Sequence, residues 1–253
     1  MKVLITGANG FIGKNLQSLL LNRDDIEELM LYDQSNSFDE LDNYCKHADC
    51  VFHLAAVLRP ENIKEFDVNV DLTLRLMQYL KVHNNKCPVM FASSIQAVLD
   101  NPYGKCKRIE ERKFIDYGKE NDVNAYVFRF PNLFGTMSRP NYTSVIATFC
   151  YNTALGLPIT VNNPAVQMKF AYIETVLDDV IRIVTGNLPD YANRILEVNN
   201  HYNVGLGELA YYMETLKRGV EPGIIREDDF YDKLKITYYW YALAGNNEGG
   251  QEC

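Results

Sequence analysis

The chain has 253 residues, 47% of them hydrophobic, and a formal net charge of −8. This composition supports one substantial core with a small appended lobe and excludes a disordered or repeat-built chain. The acidic balance leaves no basic face for nucleic acid or anionic lipid, so small molecules are the expected partners.

Taken in chain order, Val3, Leu4 and Ile5 read as a buried strand, and Phe11 to Leu21 carries apolar residues at helical spacing. No cleavable apolar leader precedes Val3, and no later stretch reaches the roughly 18 apolar residues of a membrane span, so the expected compartment is the cytoplasm and no membrane partner is expected. Between strand and helix lie Gly7, Gly10 and Gly13. Each glycine weakens a regular element by roughly 0.5–1 kcal/mol relative to alanine, so three in one turn imply close approach of backbone to a ligand. A helix N-terminus at that point offers free amides to a phosphate. The segment from Gly7 through Gly10, Phe11 and Ile12 to Gly13 is therefore the expected phosphate cradle.

Further strands are expected at 29–32, 51–54, 88–92 and 125–130, each separated by room for a helix, which predicts an α/β fold with a doubly wound parallel sheet. Ligands of such sheets bind beyond the carboxyl ends of the strands. The second strand ends in Asp33, twenty positions after Gly13, where a carboxylate accepts hydrogen bonds from an adenosine ribose. No Lys or Arg occurs from Asp24 to Cys45 to meet a 2′-phosphate, which favours NAD(H), with NADP(H) the alternative. The third strand ends at Leu54, a candidate cofactor contact, and Ala55 and Ala56 after it are small enough for the chain to pass close to the cofactor; Asp49 before the strand is a candidate for the adenine amine. His53 reads as a core histidine with its hydrogen bonds satisfied.

The fourth strand delivers Ser93 and Ser94, followed by Tyr103 and Lys107 one helical turn apart. At about 4 Å and an effective dielectric near 20, an ammonium and a phenolate attract by about 4 kcal/mol. At 1.36 kcal/mol per unit this would draw a phenol from about 10 toward 7 before burial opposes it. A phenol so tuned is an acid or base at neutral pH. Past Gly135, 141–155 and 174–184 read as helices, FAYI and RILEV as strands, and AGNNEGGQEC as a mobile tail. The expected organisation is a dinucleotide-binding domain over 1–135 and a substrate lobe over 136–253, part of 159–200 returning to the first sheet. The six cysteines show neither a C-x-x-C pair nor metal spacing and read as reduced thiols, Cys106 as packing.

TGANGFIG, HLAAV, Ser94 and the Tyr103/Lys107 pair together resemble the extended short-chain dehydrogenase/reductases, the NAD-dependent epimerase/dehydratase family. Asn69 matches its mid-helix asparagine, and RFPNLFG resembles the segment leading to its nucleotide-sugar site. The resemblance implies a Rossmann-type fold and catalysis by Ser94, Tyr103 and Lys107, the last two also touching the cofactor. Asn132, Asn141 and Tyr142 are implied to hold a UDP-sugar. It further implies a homodimer through helices at 61–83 and 103–121.

SSIQAVLDNPYGKCK and RPNYTSVIATFCY resemble more specifically the reductase domain of capsular-polysaccharide enzymes that form UDP-2-acetamido-2,6-dideoxy-L-talose, in which a cupin domain epimerises C3. No cupin segment lies within these 253 residues, and Asp33 stands where those relatives have a basic residue. Ile95 and Gln96 follow Ser94 where dehydratases of the family carry an Asp-Glu pair, which disfavours dehydration. The expected reaction is reduction of the C4 ketone of a UDP-4-keto-6-deoxy-hexosamine. The alternatives are C4 epimerisation of a UDP-sugar and a non-catalytic NAD-sensing scaffold.

Overall fold

The apolar runs of the first half become β1 (Lys2–Thr6), β2 (Glu28–Tyr32), β3 (Cys50–His53), β4 (Val89–Ser94) and β5 (Ala125–Phe130). Between them lie α1 (Phe11–Leu20), α2 (Phe38–His47), α3 (Asp67–Val82) and α4 (Pro102–Asn121). Then follow β6 (Asn132–Phe134), α5 (Val145–Ala154), β7 (Gln167–Tyr172), α6 (Ile173–Thr185), β8 (Arg194–Glu197), β9 (Tyr202–Gly205), α7 (Leu206–Arg218) and α8 (Phe230–Glu248). The coordinates are a computed structural model, in which residues 1–248 are described. They divide into two units, one of Met1–Phe130 and Val176–Asn199, the other of Pro131–Thr175 and the described residues from Asn200 onward.

The first unit is built on a six-stranded sheet of order β2-β1-β3-β4-β5-β8, parallel at every pairing. Strands covered on both faces need continuous apolar runs. Val3, Leu4, Ile5, Val51, Phe52, Met90, Phe91, Ala125 and Val127 accordingly have no exposed surface. On one face, Leu41, Leu76, Leu80, Phe114 and Tyr117 from α2, α3 and α4 close over the sheet. The chain runs from β1 outward to β2 and then crosses to the other side of β1 for β3. A crevice therefore opens beyond the carboxyl ends of β1 and β3, where strand order reverses.

Local sequence explains the helix starts. Ser37 and Glu40 form a reciprocal capping box for α2, and Asn101 caps α4 by accepting from the Gly104 amide, with Pro102 in the first turn. The expected helix at 61–83 is a 3-10 turn over Ile63–Phe66 followed by α3.

In the second unit β6 and β7 are parallel and β9 is antiparallel to β7. Its core is aromatic: Phe134 lies 5.4 Å from Phe230 and 5.5 Å from Tyr172, with Phe170, Tyr202, Tyr212 and Tyr231 around them. The segment expected to be a mobile tail divides: Ala244–Glu248 is the last turn of α8, and 249–253 lie outside the described residues.

Candidate active site

At the crevice, Gly7 adopts φ +71°, and its amide and that of Ala8 turn back to donate to the Tyr32 carbonyl. A side chain at Gly7 would place Cβ 2.7 Å from the Ala55 backbone, and one at Gly13 would place it 2.4 Å from the Gly7 carbonyl oxygen. These two glycines let the loop lie against the chain leaving β3 and let α1 close onto β1. Gly10 is exposed and begins α1 with no side-chain cap, and no acidic residue occupies the first turn. The Phe11, Ile12 and Gly13 amides at that helix start have no intrahelical partner, which suits a pyrophosphate.

Asp33 is held beside this loop, its carboxylate accepting from the Asn9 amide at 2.7 Å and the Gln34 amide at 2.8 Å. An uncapped helix start, a glycine turn and a fixed carboxylate at the switch point together fit a nicotinamide dinucleotide. Leu54, Ala55 and Ala56 are half-buried at the end of β3; the Leu54 amide donates to the Thr6 carbonyl and the Ala55 amide to Thr6 Oγ1. Asn69, on α3, clasps Val57 through both its side-chain atoms, accepting from its amide at 2.7 Å and donating to its carbonyl at 3.1 Å.

Asp49 does not belong to this group. It precedes β3 at the opposite, amino edge of the sheet, where its carboxylate accepts from the Lys2 amide at 2.6 Å. It secures the start of β1 and is withdrawn as an adenine contact. Conversely, Arg75 of α3 lies 4.1 Å over the Phe38 ring, a cation brought beside the β2–α2 segment that its own stretch of sequence lacks.

Ser93 and Ser94 differ in environment. Ser93 is buried and donates to Glu111 Oε1 at 2.6 Å, and Glu111 in turn receives both Arg129 Nε and Nη2 at 2.7 Å, so Ser93 belongs to a structural tie between β4, α4 and β5. Ser94 is half-buried, accepts from the Gln96 amide at 3.1 Å and lies beside the Tyr103 phenol. Close approach of α4 makes this possible: a Cβ on Gly104 would stand 2.3 Å from the Gln96 carbonyl oxygen and 2.6 Å from that of Leu99.

Lys107 is almost completely buried, with Nζ 4.5 Å over the Phe91 ring, 5.9 Å over the Tyr103 ring and 3.2 Å from Glu110 Oε2. Burial would lower the Lys107 ammonium, but the charge of Glu110, and that of Tyr103 when it ionises, hold it above its ordinary value. The expectation that Lys107 would bring Tyr103 toward neutrality is corrected. Burial raises the phenol above 10, Lys107 opposes it, and Glu110 adds to the rise. The lysine's charge is shared with a carboxylate that the spacing argument did not include. Cys106 is buried, with its thiol raised to about 11 by burial first and Glu110 second, so it remains a packing thiol.

The three remaining candidates lie in the second unit. Asn132 donates to the Lys169 carbonyl at 2.9 Å, Asn141 has φ +55° and its amide donates to Thr148 Oγ1, and the Tyr142 ring lies 5.3 Å from the Arg139 guanidinium. Sequence reasoning missed Thr6, Thr73 and Glu110. Each is buried beside His53 or Lys107, and the only available signal was a polar residue on an otherwise apolar stripe.

Residues 3–205 match the NAD dependent epimerase/dehydratase family. Over 211 residues the chain is 39% identical to the UDP-2-acetamido-2,6-beta-L-arabino-hexul-4-ose reductase of Pseudomonas aeruginosa, which covers 83% of this chain and 56% of that protein. The chain thus spans little more than half the length of that relative. Its fold matches the capsular polysaccharide assembling protein CapF from Staphylococcus aureus with a TM-score of 0.85 and 34% identity, over 97% of this chain and 67% of that one. The Bordetella bronchiseptica enzyme WbmF in complex with NAD+ shares the fold with a TM-score of 0.78 at 18% identity, over 98% of this chain and 94% of that one.

Proposed function

The chain belongs to the NAD dependent epimerase/dehydratase family, and we propose that it reduces the C4 ketone of a UDP-4-keto-6-deoxy-hexosamine in the formation of a capsular or surface polysaccharide precursor. The 39% identical Pseudomonas reductase supports the substrate class. The observation that carries the direction of the reaction is that 39% identity, over 83% of this chain, to a protein that reduces a hexul-4-ose. Reduction needs a protonated phenol at Tyr103, and its burial favours that form.

A bound nicotinamide supplies the hydride. Ser94 hydrogen-bonds the ketone oxygen, Tyr103 gives its proton to that oxygen as negative charge develops, and Lys107 contacts the cofactor ribose and tempers the phenol. Gly7, Gly10, Phe11, Ile12 and Gly13 receive the pyrophosphate, Asp33 the adenosine ribose, and Leu54, Ala55 and Ala56 border the cofactor. Asn132, Asn141 and Tyr142 bind the nucleotide sugar. Asp33 selects NADH over NADPH, because a carboxylate beside a 2′-phosphate sets like charges together. The chain acts in the cytoplasm as a homodimer through α3 and α4. Among the described residues no helix is long and apolar enough to cross a membrane.

The test offers the purified protein a panel of UDP-4-keto-6-deoxy-hexosamines with each nicotinamide cofactor. Stoichiometric NADH oxidation with formation of the C4 alcohol is expected. A sugar inverted at C4 without net cofactor consumption would instead establish the epimerase.

A further inference from the structure

Behind Lys107 the first unit carries a line of buried polar side chains that the proposed reaction does not itself require. Glu110 has no exposed surface, yet both its oxygens are engaged: Oε1 accepts from Thr73 Oγ1 at 3.1 Å, and Oε2 is ion-paired with Lys107 Nζ at 3.2 Å and lies 3.6 Å from Cys106 Sγ, whose thiol also faces the Phe66 carbonyl at 3.5 Å. Thr73 Oγ1 lies 2.9 Å from His53 Nε2, and His53 Nδ1 lies 2.6 Å from Thr6 Oγ1. Thr6 is the last residue of β1, immediately before Gly7.

Donor counting fixes the direction of each bond from Thr6 to Glu110. An ionised carboxylate only accepts, so Thr73 commits its one hydroxyl hydrogen to Glu110. Thr73 Oγ1 must then accept from His53 Nε2–H, which leaves Nδ1 to accept from Thr6 O–H. All the donors point toward Glu110. His53 stays neutral, lowered to about 3 by burial first and the Lys107 charge second, so Lys107 is the cation that faces this carboxylate.

Tyr103, Lys107 and Glu110 lie on one stripe of α4. Tyr103 and Lys107 are four residues apart, and Lys107 and Glu110 three, so all rise on the face that meets α3 and β4. The titratable groups facing them are His53 from β3 and Cys106 from α4 itself; α3 contributes Thr73, and β4 contributes Phe91 and the Ser94 hydroxyl.

We propose that Glu110 is a positioning residue for the reaction: its buried carboxylate keeps Lys107 in the ammonium form beside Tyr103, and the Thr6–His53–Thr73 line holds that carboxylate in register with the glycine loop. This rests on the reading of Tyr103 and Lys107 as the acid and its partner. Glu110 therefore sets the upper pH limit of the site, because a buried ammonium without its counter-charge loses its proton more readily, as does a phenol no longer facing an anion. The two side chains titrate as a pair, and removal of Glu110 moves their first proton loss downward whichever of them releases it.

The test compares wild type, Glu110→Gln and Glu110→Asp in two pH profiles: kcat for ketone reduction, and the dissociation constant of NADH measured by fluorescence without substrate. In Glu110→Gln the alkaline limb of both should move to lower pH by about one unit or more, and Glu110→Asp should return it toward wild type. Unmoved limbs in a folded Glu110→Gln overturn the proposal, even if its melting temperature falls. Should that variant not fold, Thr73→Val, which removes the donor to Oε1 together with the acceptor of His53 Nε2–H, should move both limbs less far in the same direction; unmoved limbs again overturn the proposal. The binding profile separates the two readings. If Tyr103→Phe turned over normally the assignment of Tyr103 as the acid would fail, while the NADH limb would still report whether Glu110 governs Lys107.

Discussion

Replacing Tyr103 by Phe keeps the ring that packs 5.9 Å from Phe66 and removes only the hydroxyl. Turnover should fall by about 10²–10⁴, the usual contribution of a general acid, with NADH affinity little changed. Lys107→Met should lose both, and steady-state kinetics beside a cofactor titration distinguish the two. Because burial raises the Tyr103 phenol, the acid form persists through neutral pH. The rate of reduction in wild type should therefore stay level across that range and fall only as pH rises through the raised phenol value. At Asp33 the expected outcome is tighter binding of NADH than of NADPH, with Asp33→Arg reversing the preference. Tighter NADPH binding in wild type would show that Arg75, stacked on Phe38, receives the 2′-phosphate instead.

At the scale of elements, β4 and α4 present two serines with opposite expected phenotypes. Ser94→Ala should lower turnover and leave the melting temperature nearly unchanged. Ser93→Ala removes a buried partner of Glu111 and should cost about 1–3 kcal/mol of stability with catalysis intact. Gly104→Ala should do both, because the added methyl meets two carbonyl oxygens at the start of α4; overpacking of this kind costs about 1–3 kcal/mol and displaces Tyr103. Thermal melts paired with kinetics on the three variants check the assignment. Much of this element framework is legible in the sequence, since β1 to β5 each carry a run of at least three apolar residues and Gly7 to Asp33 mark a strand, a turn and a helix. Three residues of β6 and four of β9 are too short and too polar, with Asn132 and Asn203, to show a period. Asp49 misleads because a carboxylate flanking a strand looks the same at either edge of a sheet. The line from Thr6 to Glu110 is invisible in sequence because its hydrogen bonds span separations of 47, 20 and 37 residues.

For the whole molecule, His53 makes stability depend on pH. Its folded value, about 3, lies below the ordinary 6.5, so the folded state resists a proton that the unfolded chain accepts. The contribution is complete above the unfolded value and is lost as pH falls from 6.5 toward 3, with a slope of up to about 1.4 kcal/mol per pH unit. Denaturant midpoints measured from pH 7 to pH 4 should decline in wild type. His53→Gln should be less stable at pH 7 but show a shallower decline; equal slopes would remove His53 from the account.

The order in which the sheet acquires its strands also bears on synthesis. The chain completes β5 and then builds part of another unit before β8 arrives to pair with Tyr126–Arg129. While a ribosome is still making residues 131–193, the growing domain displays the β5 edge that β8 later covers, and such edges invite pairing with other chains. Slow translation or premature termination in that window is the hazardous moment in the life of this protein. A fragment released at Phe130 should be found in the pellet, where the full chain remains in solution.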